Sequence, residues 1–325
     1  MENYKRLEKH KKLDEVENIL KILNNYITDP AENEKYSSNQ PIIFIVGSPR
    51  SGTTLMSQFL ANYTNFCYPS NFISRFYYAP KIGALLQKLM FDLDNRQELC
   101  ASIKNEIPFN SDLGKTKNAL SPNEFWYYWR RFFQFSDEKQ QFTTEDYKLA
   151  NFSGFENGLR SIQDIYKTPI FLKGLMLNWH IELIHKHISN SFFIFTERDL
   201  ADNAQSILEA RLNYFGNTNE WFSFKPEEYD DIKNLSPEEQ VVAQVFYTNK
   251  AIKNELKKIP NSNYIHVPYK NFCTNPVSIL QTIINKTNIE QTFPTPPNIQ
   301  YTFRTKTNTS SITRHAMLYE TSKLD

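Results

Sequence analysis

The sequence predicts an α/β fold with a central parallel sheet, on three observations. A short apolar run, Ile42 to Val46, meets a loop with glycines at Gly47 and Gly52. A second apolar run, Phe192 to Thr196, stops just before Arg198. Between them, Asn65 to Lys167 is rich in aromatics and shows no strand-helix alternation, so it reads as a helical insertion. With 325 residues, 40% of them apolar, the chain can bury a sizeable core. The expected organisation is an N-terminal helical arm and linker over residues 1–40, then one α/β domain over 41–325 that carries the insertion.

Taken in order, residues 4 to 28 set Leu13, Val16, Ile19, Leu20, Leu23 and Tyr26 at helical spacing. This arm is expected to pack on the body or on a partner, a second copy in a homodimer included. Asp29 to Gln40 is polar, contains Pro30 and serves as a linker. Ile42 to Val46 is β-branched and aromatic enough for a buried parallel strand, followed by a helix over about residues 53–63. Thr168 to Leu172 reads as a short strand, Leu175 to His187 as a helix, and Ala201 to Leu212 as a helix after the strand at 192. Ser236-Pro-Glu-Glu239 has the Ser-x-x-Glu capping pattern with proline at the first helical position, opening a helix to about Lys258. Asn263 to Val267 is the last expected strand, and residues 302–313 form a Thr- and Asn-rich tail.

The first loop has the form of a phosphate cradle. Successive backbone N–H groups converge after the strand, and a helix starting near Gly52 adds its free N-terminal amides and the positive end of its dipole. Against the nucleotide-loop pattern G-x-x-x-x-G-K-[ST], Gly47, Gly52 and Thr54 fit, while Thr53 stands in the lysine place. The cation that reaches the terminal phosphates of a nucleoside triphosphate is therefore missing, and Arg50 supplies a forked cation within the loop instead. The fold implied is P-loop NTPase-like with three layers, and the anion held is expected to be something other than ATP with magnesium. Arg198 at the end of its strand and Ser206 in the second turn of the next helix would lie at the same edge, because ligands of open α/β sheets bind outside the carboxyl ends of strands. Taken alone, Arg198-Asp199 also reads as a surface ion pair and Ser206 as an ordinary helix serine.

Gly47-Ser-Pro-Arg-Ser-Gly-Thr-Thr-Leu-Met56 resembles the 5′-phosphosulfate loop of sulfotransferases that use 3′-phosphoadenylyl sulfate (PAPS), in particular the tyrosylprotein sulfotransferases and their bacterial relatives. Ser191-Phe-Phe-Ile-Phe-Thr-Glu-Arg-Asp199, with Ser206 eight residues after Arg198, resembles that family's 3′-phosphate motif, about 150 residues downstream. Tyr269-Lys-Asn-Phe272 and Asn275-Pro276 resemble its link after the last strand, so the likeness spans most of residues 41 to 290. The resemblance implies PAPS as donor, 3′-phosphoadenosine 5′-phosphate (PAP) as product and no metal. It implies nucleotide contacts from Gly47, Ser48, Pro49, Arg50, Ser51, Gly52, Thr53, Thr54, Arg198 and Ser206. Arg50 would stabilise the leaving group, and Lys173 stands where the family often has a lysine near the bridging oxygen. The acceptor would be a small molecule, carbohydrate, lipid or peptide. A P-loop kinase or NTPase, and a nucleotide-binding protein without catalysis, are the other readings.

The catalytic base is not given by the resemblance. Leu175 stands where cytosolic members have a histidine, and Cys67-Tyr-Pro-Ser-Asn-Phe72 where the tyrosylprotein branch uses a glutamate. Glu124, in Ser121-Pro-Asn-Glu-Phe-Trp-Tyr-Tyr-Trp129, is the substitute, since a carboxylate among rings should have a raised pKa; Ser121 to Glu124 is also a capping box. Phe125, Tyr128, Trp129 and Phe132 follow a helical period and belong to a core, leaving Trp126, Tyr127 and Arg130 for a pocket rim. His180, His185 and His187 form either a metal pair or surface positions of an amphipathic helix. Arg304, Lys306 and Arg314 would fold over the 3′-phosphate or stay solvated. A net charge of +1 makes nucleic acid a poor partner. Cys67, Cys100 and Cys273 lack metal spacing and suit a reducing, cytoplasmic setting, and no apolar run approaches the roughly 20 residues that span a bilayer.

Overall fold

A computed structural model describes residues 3–27, 35–36, 38–94, 96, 98–99, 107–135, 141–289, 312, 315–316 and 319. The order of elements is α1 (Asp14–Tyr26), β1 (Ile42–Val46), α2 (Thr53–Tyr63), α3 (Pro80–Gln87), and a two-residue-per-strand hairpin, β2 (Ser111–Asp112) with β3 (Lys115–Thr116). Then come α4 (Trp126–Phe132), α5 (Thr144–Leu149), α6 (Phe152–Tyr166), β4 (Ile170–Lys173), α7 (Ile181–His187), β5 (Ser191–Glu197) and α8 (Leu200–Phe215). The chain continues through α9 (Tyr229–Ile232), α10 (Pro237–Leu256), β6 (Tyr264–Pro268), α11 (Tyr269–Thr274) and α12 (Pro276–Thr287).

Four strands form a parallel sheet in the order β4-β1-β5-β6. All five residues of β1 are buried, so its side chains feed two cores in alternation. Ile42, Phe44 and Val46 join Trp129, Phe155, Leu159, Ile181 and Ile252 on one face, under α4, α6, α7 and α10. Ile43 and Ile45 join Met56, Phe59, Leu60, Phe272 and Ile283 on the other, under α2, α11 and α12. Helices on both faces make three layers, the α/β architecture read from the sequence. The Ser236 capping box forms, its hydroxyl accepting from the Glu239 N–H at 3.4 Å while the Glu239 carboxylate accepts from the Ser236 N–H at 3.0 Å.

Two local expectations fail. The helix expected over Leu175 to His187 is a 3-10 turn at Leu175–Leu177 followed by α7. It breaks because Asn178 is wholly buried and spends its amide on the loop after β1. The insertion also contains the β2–β3 hairpin, with Leu113 and Gly114 at φ 50° and 91° in its turn. In the N-terminal arm, the body covers only part of the apolar stripe. Leu13, Val16 and Ile19 are 69%, 39% and 57% exposed, while Leu20 and Asn24 are buried. Asn24 fixes the helix to the body, donating to the Arg75 carbonyl at 2.9 Å and accepting from the Tyr78 N–H at 3.0 Å.

Candidate active site

Every strand of the sheet delivers part of the site at its carboxyl end. β1 runs into the phosphate loop, β4 ends on Lys173, β5 is followed by Arg198, and β6 is followed by Tyr269. A cleft of about 1540 Å³ opens there, lined on this side by Arg50, Gly52, Thr53, Thr54, Lys173 and Arg198.

The loop keeps its shape through buried polar groups from the neighbouring strands and helices. Asn178 accepts from the Gly47 N–H at 3.2 Å and donates to the Gly47 carbonyl at 2.9 Å. Asn203 of α8 donates to the Pro49 carbonyl at 2.7 Å and accepts from the Ser48 hydroxyl at 3.0 Å. Ser51 and Thr196 share a hydrogen bond of 3.1 Å. Ser48 and Ser51 are fully buried, their hydroxyls bonded to Asn203 and Thr196, and the Ser51 N–H donates to the Ser48 carbonyl at 3.2 Å. Arg50 adopts a left-handed backbone, φ 68°, and Gly52 has φ 103° as the residue before α2. Glycine is required at 52 twice over, because a Cβ there would sit 2.5 Å from the Tyr269 ring.

At one end of the loop lie the two guanidinium groups. The Arg50 Nε donates to the Ser206 hydroxyl at 3.3 Å, and Arg198 stacks 5.2 Å from the centroid of Tyr269. Burial, followed by the charge of Arg198, lowers the pKa of Arg50 from its ordinary value. Two like charges thus sit close enough to oppose each other. The Arg198 Nε is buried and has no hydrogen-bond partner among the described residues, and its nearest carboxylate, Asp202, is 3.9 Å away. This is a cationic pair whose donors suit a multivalent anion.

At the other end, Lys173 donates to Glu124 at 2.6 Å and to the Thr54 hydroxyl at 2.8 Å. The Lys173 side chain is 5% exposed and that of Glu124 45%, so the carboxylate is the member that meets the cleft. Gly114 in the hairpin turn covers this group: a Cβ there would lie 3.6 Å from the Thr54 hydroxyl and 3.9 Å from Lys173. One expectation for Glu124 needs correction. It caps no helix, because Phe125 takes a left-handed conformation (φ 56°) and α4 starts after it, while the Ser121 hydroxyl donates to the Lys117 carbonyl. Its carboxylate is paired with the Lys173 ammonium.

A family model described as the sulfotransferase family matches residues 41–293, well over half of the chain. The chain belongs to the sulfotransferase family. No curated protein sequence matches it. Similar solved structures include the sulfotransferase domain from the Synechococcus PCC 7002 olefin synthase, 14% identical, with a TM-score of 0.43 over 82% of this chain and 78% of that one. Sulfotransferase STF9 from Mycobacterium avium is 12% identical, with a TM-score of 0.49 over 95% of this chain and 73% of that one. A sulfotransferase from Alicyclobacillus acidocaldarius is 12% identical, with a TM-score of 0.43 over 88% and 92%.

In this sulfotransferase-family chain, sequence reasoning missed the residues that shape the loop. Asn178, Thr196 and Asn203 carry no pattern of their own, since a buried amide or hydroxyl looks like any loop or helix residue until its partner is known. Tyr269 is legible only as part of the link after β6, although it supports both Gly52 and Arg198. Burial pushes its hydroxyl up to about 12, against the pull of Arg198 and Arg50. The three histidines do separate work: His180 accepts from the Phe142 N–H at 2.9 Å, His185 pairs with Ser191 at 3.1 Å and His187 stacks on Phe152. No group of three metal-ligating side chains is gathered among the described residues. Trp126, Tyr127 and Arg130 line the cleft, while Phe125, Tyr128, Trp129 and Phe132 are buried. Arg304, Lys306, Arg314 and Cys100 lie outside the described residues; Cys67 and Cys273 are buried thiols. No described helix is long and apolar enough to cross a membrane.

Proposed function

We propose that the protein transfers the sulfuryl group of PAPS to a hydroxyl or amine of an acceptor by in-line displacement. One observation carries this reading: at a single sheet edge stand Arg50, which bonds Ser206 and feels the charge of Arg198, and Lys173, which bonds Glu124 and Thr54. The donor supplies a sulfur already activated by a phosphate leaving group. The loop amides, Thr53 and Thr54 hold the 5′-phosphate, and Arg198 with Ser206 holds the 3′-phosphate. Arg50 stabilises the 5′-phosphate leaving group as the sulfur–oxygen bond breaks and Lys173 meets the charge that grows on the bridging oxygen, the electrostatic logic of phosphoryl transfer. The acceptor's oxygen or nitrogen forms the new bond to sulfur, and its proton passes to the Glu124 carboxylate. PAP and the sulfated acceptor leave.

The test is incubation of the chain with PAPS and a panel of sugars, phenols, lipids and peptides, read by mass spectrometry. Sulfated product formed in the presence of a chelator is the expected result. Magnesium-dependent hydrolysis of ATP with no sulfation would instead favour a kinase-like activity. Tight binding of PAP with no transfer to any acceptor would favour a non-catalytic binding protein.

A further inference from the structure

We propose that Tyr269 is a positioning residue: its ring holds the Arg198 guanidinium in the orientation that grips the 3′-phosphate, and so sets the preference for a 3′-phosphorylated donor over the same nucleotide without that group. This rests on the sulfotransfer reading and adds the residue that governs donor selectivity at that site.

Arg198 has little else to fix it. Its Nε is buried without a hydrogen-bond partner among the described residues, and the carboxylate of Asp202 on α8 stands 3.9 Å away, beyond hydrogen-bond reach. The charge of Arg198 also opposes that of Arg50, so repulsion would drive a loosely held side chain out of the site. The Tyr269 ring, its centroid 5.2 Å from the Arg198 guanidinium carbon, offers the cation the negative face of its quadrupole. A ring steadies the guanidinium without cancelling its charge. A carboxylate in the same place would pair with it and compete with the phosphate.

The ring is itself held in place. Tyr269 opens α11 directly after Pro268, the last residue of β6. Its hydroxyl bonds the thiol of Cys273, one turn later on the same helix, and burial pushes that hydroxyl up to about 12, so the ring is a neutral phenol near neutral pH. The ring also packs on Gly52, so closely that a Cβ there would lie 2.5 Å from Cδ2 and 2.8 Å from Cε2. One side chain at the end of β6 thus touches both the phosphate loop after β1 and the arginine after β5. The loop has other supports, because Asn178, Thr196 and Asn203 bond Gly47, Ser48, Pro49 and Ser51. Loss of the ring should therefore be felt at the 3′-phosphate more than at the 5′-phosphate.

The experiment titrates PAP, and adenosine 5′-monophosphate (AMP), which lacks the 3′-phosphate, into the native chain, Tyr269→Phe, Tyr269→Leu, Arg198→Ala, and Tyr269→Leu combined with Arg198→Ala. Tyr269→Leu keeps an apolar side chain against Gly52 but no ring face, and should weaken PAP binding about tenfold while changing AMP binding less than about twofold. Tyr269→Phe keeps the face and should bind PAP as the native chain does. In the double variant the PAP loss should equal that of Arg198→Ala alone, since the ring then has no guanidinium to position. Tyr269→pentafluorophenylalanine keeps the ring's size but reverses the charge of its face; it should lose PAP affinity as Tyr269→Leu does, and it carries the test if the leucine variant fails to fold. Equal losses for PAP and AMP, an additive loss in the double variant, or PAP affinity retained without the negative face would overturn the proposal and leave the sulfotransfer reading standing. A native chain that binds no PAP would overturn both.

Discussion

Glu124 is the residue on which turnover and binding separate. Its carboxylate touches Lys173 at 2.6 Å and opens to the cleft, while Arg50 of the loop and Arg198 after β5 are the pair we propose for the nucleotide's phosphates. Glu124→Gln keeps the shape and a hydrogen-bond acceptor for Lys173 but removes the proton acceptor. It should cut turnover by about 10²–10⁴-fold and leave PAP affinity intact, in steady-state assays set beside calorimetry. Retained turnover would leave Glu124 only a role in holding Lys173. That Glu124 is worth testing was legible from its sequence neighbourhood, but its environment was not. A left-handed Phe125 is what removes Glu124 from the first turn of α4, and single-residue backbone conformations of this kind leave little trace in composition or period.

At the scale of elements, the strands were readable because a buried parallel strand is a continuous apolar run, and Ile42 to Val46 and Phe192 to Thr196 are such runs. The helix after Gly174 was misread because the apolar spacing continues through Leu175–Leu177, while the stop comes from Asn178 bonding a loop 131 residues away. A long-range amide of this kind has no local signature. β5 holds its neighbours through Glu197, whose carboxylate accepts from His266 on β6 and Lys253 on α10, both at 2.7 Å. Burial alone would raise its pKa, but these two partners outweigh burial and lower it below the ordinary 4.5. A depressed carboxylate stabilises the fold at pH above the unfolded value and loses that contribution as pH falls through its folded value. Stability of the native chain against thermal unfolding should therefore fall on acidification below about pH 4.5 through this group. Glu197→Gln should be less stable at pH 7 and lose less on acidification. A parallel pH dependence in both proteins would show that Glu197 does not link these elements.

Across the whole molecule, the insertion is anchored to the sheet through rings. Phe155 of α6 is fully buried and packs against Phe44 of β1 and against Trp129 and Phe133, with centroids 6.5, 4.4 and 5.0 Å away. Its removal leaves a cavity between the sheet and the aromatic wall of the cleft. Phe155→Ala should cost about 3–5 kcal/mol in denaturant unfolding, and a loss below about 1 kcal/mol would mean that the insertion packs independently of β1. The same layout explains how the site is assembled: four parallel strands end at one edge, so residues as far apart in sequence as Arg50 and Tyr269 meet there without a local signal joining them. The central claim is that Arg50 and Arg198 grip one nucleotide. Calorimetric titration of PAP into the native chain, Arg50→Ala and Arg198→Ala tests it most directly. Each substitution should weaken binding by about 2–5 kcal/mol, the cost of leaving a desolvated phosphate without its guanidinium partner. Unchanged affinity in both variants would contradict the account.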